Sequence, residues 1–178
     1  MAVMRIVVTG PIGSGKSTFV RTVSEIQPVD TDRYATDETA LIKPKTTVAL
    51  DFGRITFGQQ MSLHVYGTPG QERFDFMWDI LIRYAHAYIL LIPGHQPSAF
   101  RKARRILTFM EQRVKLPYLV GVTHLDLSEA WPLSYVALAA GVHPALTLEV
   151  NATRKESVVA ALAALVQRCY TQQAASTV

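Results

Sequence analysis

The chain has 178 residues, 49% of them apolar and 18% charged, with a net charge of +4. That suffices for one well-cored domain and falls short of two, and it excludes a disordered or low-complexity chain. No apolar run approaches a membrane span, and the run at 87–93 is strand-sized.

Residues 3–9, with Val3, Ile6, Val7 and Val8, read as a buried strand. Gly10-Pro11-Ile12-Gly13-Ser14-Gly15-Lys16-Ser17 follows and matches G-x-x-x-x-G-K-[ST] at every fixed position, with Thr18 just beyond. Residues 17–26 then carry Phe19, Val20, Val23 and Ile26 at helical spacing. Strand, glycine loop and helix is the context in which this motif holds a phosphate. Glycines let successive N–H groups turn inward as an anion nest, and the helix N-terminus adds partial positive charge. Lys16 is then placed to reach the β- and γ-phosphates, and the Ser17 hydroxyl to ligate Mg²⁺.

Residues 27–46 show no sustained period and form a connection too long to be ordinary. The stretches 47–57 and 61–66 alternate and flank Gly58-Gln59-Gln60, which predicts an antiparallel hairpin. Gly67-Thr68-Pro69-Gly70 breaks the pattern. A very apolar helix is expected over 73–85, a buried strand over 87–93, a basic amphipathic helix over 98–114 and a strand over 117–123. A helix over 128–140, a strand over 145–150 and a closing helix over 155–170 complete the pattern. Strands alternating with helices predict a single α/β domain over residues 1–178, its mainly parallel sheet covered on both faces.

The single cysteine, Cys169, excludes an internal disulfide, suits a reducing compartment and reads as a small core filler. The start lacks a signal-type segment and the end a prenylation box, so a cytoplasmic chain without a membrane anchor is expected. The mild positive charge comes with no motif that reads DNA or RNA, so no nucleic-acid partner is expected.

Thr47-Val48-Ala49-Leu50-Asp51-Phe52-Gly53 followed by Gly67-Thr68-Pro69-Gly70-Gln71-Glu72-Arg73-Phe74 resembles the two switch regions of Ras-like small GTPases, closest to the bacterial gliding-motility and conservon-type branch. The resemblance runs over essentially the whole chain. It implies a three-layer P-loop NTPase domain with a six-stranded, mostly parallel sheet and one antiparallel edge strand. It also implies GTP and GDP as ligands and Mg²⁺ as cofactor. The phosphate-binding set becomes Gly10, Pro11, Ile12, Gly13, Ser14, Gly15, Lys16, Ser17, Thr18 and Gly70. Thr47, with Thr46 as its neighbour and rival, closes switch I over the metal, and Gln71 orients the attacking water, so that Gln71 and Lys16 carry catalysis. Ile12 sits where the loop passes closest to the γ-phosphate and would crowd Gln71 or an incoming arginine.

Two departures stand out. The switch II motif usually begins with an Asp that holds Mg²⁺ through water, and here that residue is Gly67. Asp51 is the leading substitute. It lies four residues from Thr47, about 13 Å along a strand, which is too far for both to ligate one ion directly but short enough when Asp51 acts through a bound water. Thr68, Asp37 and Glu38 are alternatives. The metal set is thus Ser17, Thr47 and Asp51. The base motif, usually Asn-Lys-x-Asp, is Thr123-His124-Leu125-Asp126, in which Asp126 keeps the carboxylate for guanine. Asn151-Ala152-Thr153 corresponds to the Ser-Ala-Lys loop at the guanine oxygen.

The helix over 73–85 has too many apolar residues for one core stripe, so Phe74, Phe76 and Trp78 are candidates for a docking surface beside switch II. The resemblance implies a Roadblock-fold regulator as partner. The expected function is a slow GTPase switch. A non-hydrolysing scaffold of the same fold and an ATP-preferring variant are the alternatives.

Overall fold

The structure, a computed structural model, describes residues 2–27, 51–69 and 75–176. Six strands form one sheet: β1 (Ala2–Thr9), β2 (Asp51–Phe57), β3 (Met61–Gly67), β4 (Ala87–Pro93), β5 (Tyr118–Thr123) and β6 (Thr147–Glu149). Their spatial order is β2-β3-β1-β4-β5-β6. Only β2 runs antiparallel, pairing with β3 at the edge, and every other neighbour pair is parallel. Five helices cover the sheet: α1 (Lys16–Val23), α2 (Asp75–Tyr84), α3 (Pro97–Glu111), α4 (Leu133–Ala140) and α5 (Lys155–Ser176).

The alternation of side chains along each strand divides the core in two. Ile6 and Val8 of β1 and Ile89 and Leu91 of β4 pack with Phe19 and Val20 of α1 and Leu162 and Leu165 of α5. Val7, Tyr88, Leu90 and Ile92 point the other way, onto Trp78 and Ile82 of α2, Phe100 and Met110 of α3 and Val136 of α4. All seven residues of β4 are buried, as a central parallel strand requires. Cys169 lies in the first of these clusters, as a small core residue should.

The predicted elements are all present among the described residues, with five main boundary corrections. The basic helix expected over 98–114 runs from Pro97 to Glu111. The helix expected from residue 128 starts at Leu133, because Pro132 sits at its N-cap in an extended conformation (φ −55°, ψ 144°) and residues 128–131 form turns. The strand expected over 145–150 shrinks to Thr147–Glu149 behind a 3-10 turn, Pro144–Leu146. The closing helix continues to Ser176 rather than ending at residue 170. The first helix ends at Val23, where Ser24 turns extended and its backbone N–H caps the Val20 carbonyl. The predicted strand residues 47–50 lie outside the described residues.

This topology sets the site. The C-terminal ends of parallel strands β1, β3, β4 and β5 open on one edge of the sheet, and in open α/β sheets ligands bind there, next to the helix N-termini.

Candidate nucleotide-binding site

The phosphate loop leaves β1 at Thr9 and enters α1 at Lys16. Gly10, Gly13 and Gly15 take φ values of 147°, 77° and 92°, a region that L side chains rarely adopt. At Gly10 a Cβ would stand 2.3 Å from the Leu91 carbonyl oxygen, so the loop crosses β4 too closely for any side chain. Lys16 is 8% exposed. Its ammonium donates to the carbonyl oxygens of Gly10 and Pro11, both at 2.8 Å, with Ser14 Oγ at 3.4 Å. Burial lowers its pKa to about 8, against the opposing pull of the Asp51 carboxylate. Ser17 and Thr18 stand exposed in the first turn of α1, and Ile12 projects from the loop at 61% exposure.

Asp51 begins β2 directly opposite Gly67 at the end of β3. Its Oδ2 accepts a 2.5 Å hydrogen bond from Ser17 Oγ, and Arg21 lies 3.9 Å from Oδ1. The two expected metal-site residues among those described are therefore in contact. A Cβ at Gly67 would stand 3.0 Å from Asp51 Cβ and 3.3 Å from Asp51 Oδ2. The carboxylate thus fills the space that a side chain at position 67 would need. A hydroxyl and a carboxylate at a helix N-terminus are hard oxygen donors that fit Mg²⁺. Thr68, an alternative on sequence grounds, is 3% exposed, and its hydroxyl is spent on Thr9 Oγ1 at 3.1 Å. Thr46, Thr47, Asp37, Glu38, Gly70 and Gln71 lie outside the described residues.

The base loop follows β5. Thr123 is 1% exposed and its hydroxyl donates to the Ser14 carbonyl at 2.9 Å, which ties this loop to the phosphate loop. Its side chain, expected at the base, joins the two loops. His124 takes a left-handed conformation (φ 59°), which turns the chain so that Asp126 is exposed. Beside it, Asn151 Oδ1 accepts from the Thr153 N–H at 3.0 Å and the Thr153 hydroxyl at 2.6 Å, closing a tight turn. Ala152 touches the phosphate loop: its Cβ lies 3.3 Å from where a Cβ on Gly15 would be, and its carbonyl accepts from Thr22 Oγ1 at 2.7 Å. The structure therefore gathers Lys16, Ser17, Asp51, Asp126 and Ala152 around one edge of the sheet. The sequence reading missed His95 and Gln96, which follow β4 and reach the same place. His95 packs on His124 with ring centroids 4.7 Å apart.

Two of the three docking candidates fall within the described helix, and they differ. Phe76 is 56% exposed and begins a stripe continued one and two turns on by Ile80 and Tyr84. Trp78 is buried, against the expectation that it forms part of a docking face. Its indole N–H donates to the Pro69 carbonyl at 2.9 Å and its ring meets Phe109 edge-on at 5.6 Å, so it anchors α2 to α3 and to the end of the segment after β3. Phe74 lies outside the described residues.

A family described as "conserved hypothetical ATP binding protein" matches residues 8–174. The chain belongs to this ATP-binding family. Its six-stranded sheet and phosphate loop make it an α/β protein of the P-loop NTPase type. A Ras and EF-hand domain-containing protein of Danio rerio is 27% identical over 135 residues, 73% of this chain and 19% of that protein. An uncharacterized protein of Methanocaldococcus jannaschii is 26% identical over 83 residues, 47% of this chain and 52% of that protein. The chain thus spans about half the length of one relative and about a fifth of the other. Among the described residues of this ATP-binding family member, no helix is long and apolar enough to cross a membrane.

Proposed function

We propose that the protein is a GTP-binding molecular switch that slowly hydrolyses GTP to GDP and phosphate and signals the change to a protein partner. The observation that carries the reading is Asp126, an exposed carboxylate on a loop that Thr123 ties to the phosphate loop. A carboxylate there accepts the paired N–H donors of guanine, which adenine lacks, and a site built on that contact rejects the analogue without it.

In this reading the N–H groups of residues 10–17 cradle the phosphates, and Lys16 leaves the loop carbonyls to meet the β- and γ-phosphates. Ser17 and Asp51 hold Mg²⁺, with Thr47 joining from switch I. Bound there, Mg²⁺ would supply charge neutralisation at the phosphates. Gln71 orients water for attack on the γ-phosphorus, and Gly70 offers its N–H to the same phosphate. Loss of that phosphate releases both segments. The stripe Phe76, Ile80 and Tyr84 supports docking of a partner on α2, for which the family resemblance suggests a Roadblock-fold regulator.

Replacing Gln71 by Leu is expected to leave GDP and GTP affinity unchanged while slowing phosphate release about tenfold or more. Turnover that survives the change in a coupled phosphate assay would remove Gln71 from the mechanism.

The family's description favours a second reading, in which the ligand is ATP. Titrating the protein with labelled GDP and ADP separates the two, and Asp126→Asn sharpens the comparison. If guanine is the base, the substitution should weaken GDP about fiftyfold, the loss of a charge-assisted pair of hydrogen bonds. It should also admit xanthosine diphosphate, whose ring carbonyl can accept from the new amide. Binding of ADP as tight as GDP, untouched by Asp126→Asn, would establish the ATP reading.

A further inference from the structure

We propose that His95 is a positioning residue of the nucleotide site, the second ring of a histidine pair that holds His124 in place against the base. This rests on the reading of residues 123–126 as the base loop and names a residue, on another element, that the loop depends on.

His124 stands where the motif more often has a lysine whose stem covers the base. A lysine stem is supported along its length by the surface it lies on, whereas an imidazole in a left-handed turn needs a brace. Two contacts supply it, each held in turn by a further bond. His124 Nδ1 lies 2.9 Å from Thr123 Oγ1. That hydroxyl has one proton, and it is directed to the Ser14 carbonyl at 2.9 Å. His124 therefore donates from Nδ1 and keeps its lone pair on Nε2. One edge of the ring is thus tied through Thr123 to the phosphate loop. One face is covered by His95, at 4.7 Å between centroids and 53° between planes. His95 is held in turn, with Nε2 3.1 Å from the Gln96 amide nitrogen. The Gln96 amide lies 3.8–3.9 Å from where a Cβ on Gly13 would begin, so the same dipeptide borders the phosphate loop. His95 Nδ1 is buried and makes no hydrogen bond among the described residues. Buried polar atoms without partners are uncommon, and a contact worth that cost is expected to serve the site.

The pair also has an electrostatic signature. The groups that act on it among the described residues are Asp126, on the loop of His124, and Glu129, in the turn before α4. Burial lowers the pKa of His124, the neighbouring His95 lowers it further, and Asp126 opposes both. Two imidazolium rings at this separation repel each other. Charge on one ring therefore suppresses charge on the other.

The test compares His95→Ala with His95→Phe, in labelled-GDP and labelled-ADP titrations at pH 7.5 and by proton NMR of His124 as pH is varied. His95→Ala is expected to weaken the preferred nucleotide about tenfold, mainly through faster dissociation. His95→Phe keeps a ring against His124 and is expected to restore affinity to within about twofold of the wild type. In that variant the titration midpoint of His124 should rise, because His95 at this contact lowers it. A His95 that braced the fold away from His124 would leave the midpoint unmoved. Wild-type affinity in His95→Ala, or an unmoved His124 midpoint in His95→Phe, overturns the proposal. Failure of the wild type to bind either nucleotide would instead defeat the nucleotide reading itself, so the two failures are told apart.

Discussion

Lys16→Ala is expected to lower nucleotide affinity about a thousandfold, or about 4 kcal/mol, while the nucleotide-free protein stays folded. The Lys16 ammonium is buried and its partners are two loop carbonyls and one hydroxyl, with no carboxylate in hydrogen-bond contact among the described residues. A buried ammonium held mainly by neutral acceptors is held for something else. Phosphate oxygens are far stronger acceptors for it, and the loop N–H groups alone cannot balance a triphosphate's charge. Because the side chain packs against loop backbone rather than core, its loss should shift the thermal midpoint of the nucleotide-free protein by only a few degrees. The lowered pKa adds a pH test with a definite sign. Bound phosphates favour the ammonium, so nucleotide binding draws a proton onto Lys16 wherever the free protein has begun to lose it. Affinity should therefore be flat below pH 8 and decline as pH rises through about 8. Calorimetry on wild type and variant, with melting curves on both, reads all three quantities. Binding by Lys16→Ala within tenfold of the wild type would mean that the loop does not grip phosphates through this residue.

The sequence spoke most clearly where one local rule governs the outcome. The phosphate loop needs glycines at set positions because Gly10, Gly13 and Gly15 take positive φ, and the pattern shows those residues directly. The all-buried run of β4 and the alternating pair β2 and β3 were equally legible, because burial on two faces and on one leave different periodicities. Contacts between distant segments were not legible. Trp78 read as surplus apolar surface, because nothing local shows that its N–H reaches Pro69 and its ring reaches Phe109. Thr123 read as a base contact, because the motif position is known and the direction of its hydroxyl is not. His95 left no signal at all. It gains its place only when parallel pairing sets the end of β4 beside the end of β5, with Pro93 opposite Thr123. Asp51 was intermediate. The sequence named Asp51 as the leading substitute for the carboxylate missing at Gly67, and the strand register sets the two residues directly opposite each other.

That pairing makes an exchange of the two residues the most informative test of the metal site. Asp51→Asn removes the charge while keeping the size. It is expected to raise the Mg²⁺ concentration needed for half-maximal GTP or ATP turnover at least about tenfold and to lower turnover about a hundredfold, as exchange of an anionic oxygen donor for a neutral one at a hard cation implies. Gly67→Asp alone brings a second carboxylate against the first, since its Cβ would stand 3.3 Å from Asp51 Oδ2. Two like charges at such a distance disfavour joint ionisation, and the variant should lose about 1–2 kcal/mol of stability. In the exchange Asp51→Gly with Gly67→Asp, the space vacated on β2 receives the carboxylate from β3. The carboxylate then approaches the Ser17 hydroxyl from the neighbouring strand. Most of the Mg²⁺ response should return, and the double variant should be more stable than Gly67→Asp. Such recovery is non-additive, as expected of two residues that share one volume and one charge. An exchange variant no better than Asp51→Asn would show that the position of the carboxylate on β2 matters beyond its charge. An unchanged Mg²⁺ requirement in Asp51→Asn would remove Asp51 from the metal site and leave its bond to Ser17 a structural cap on α1.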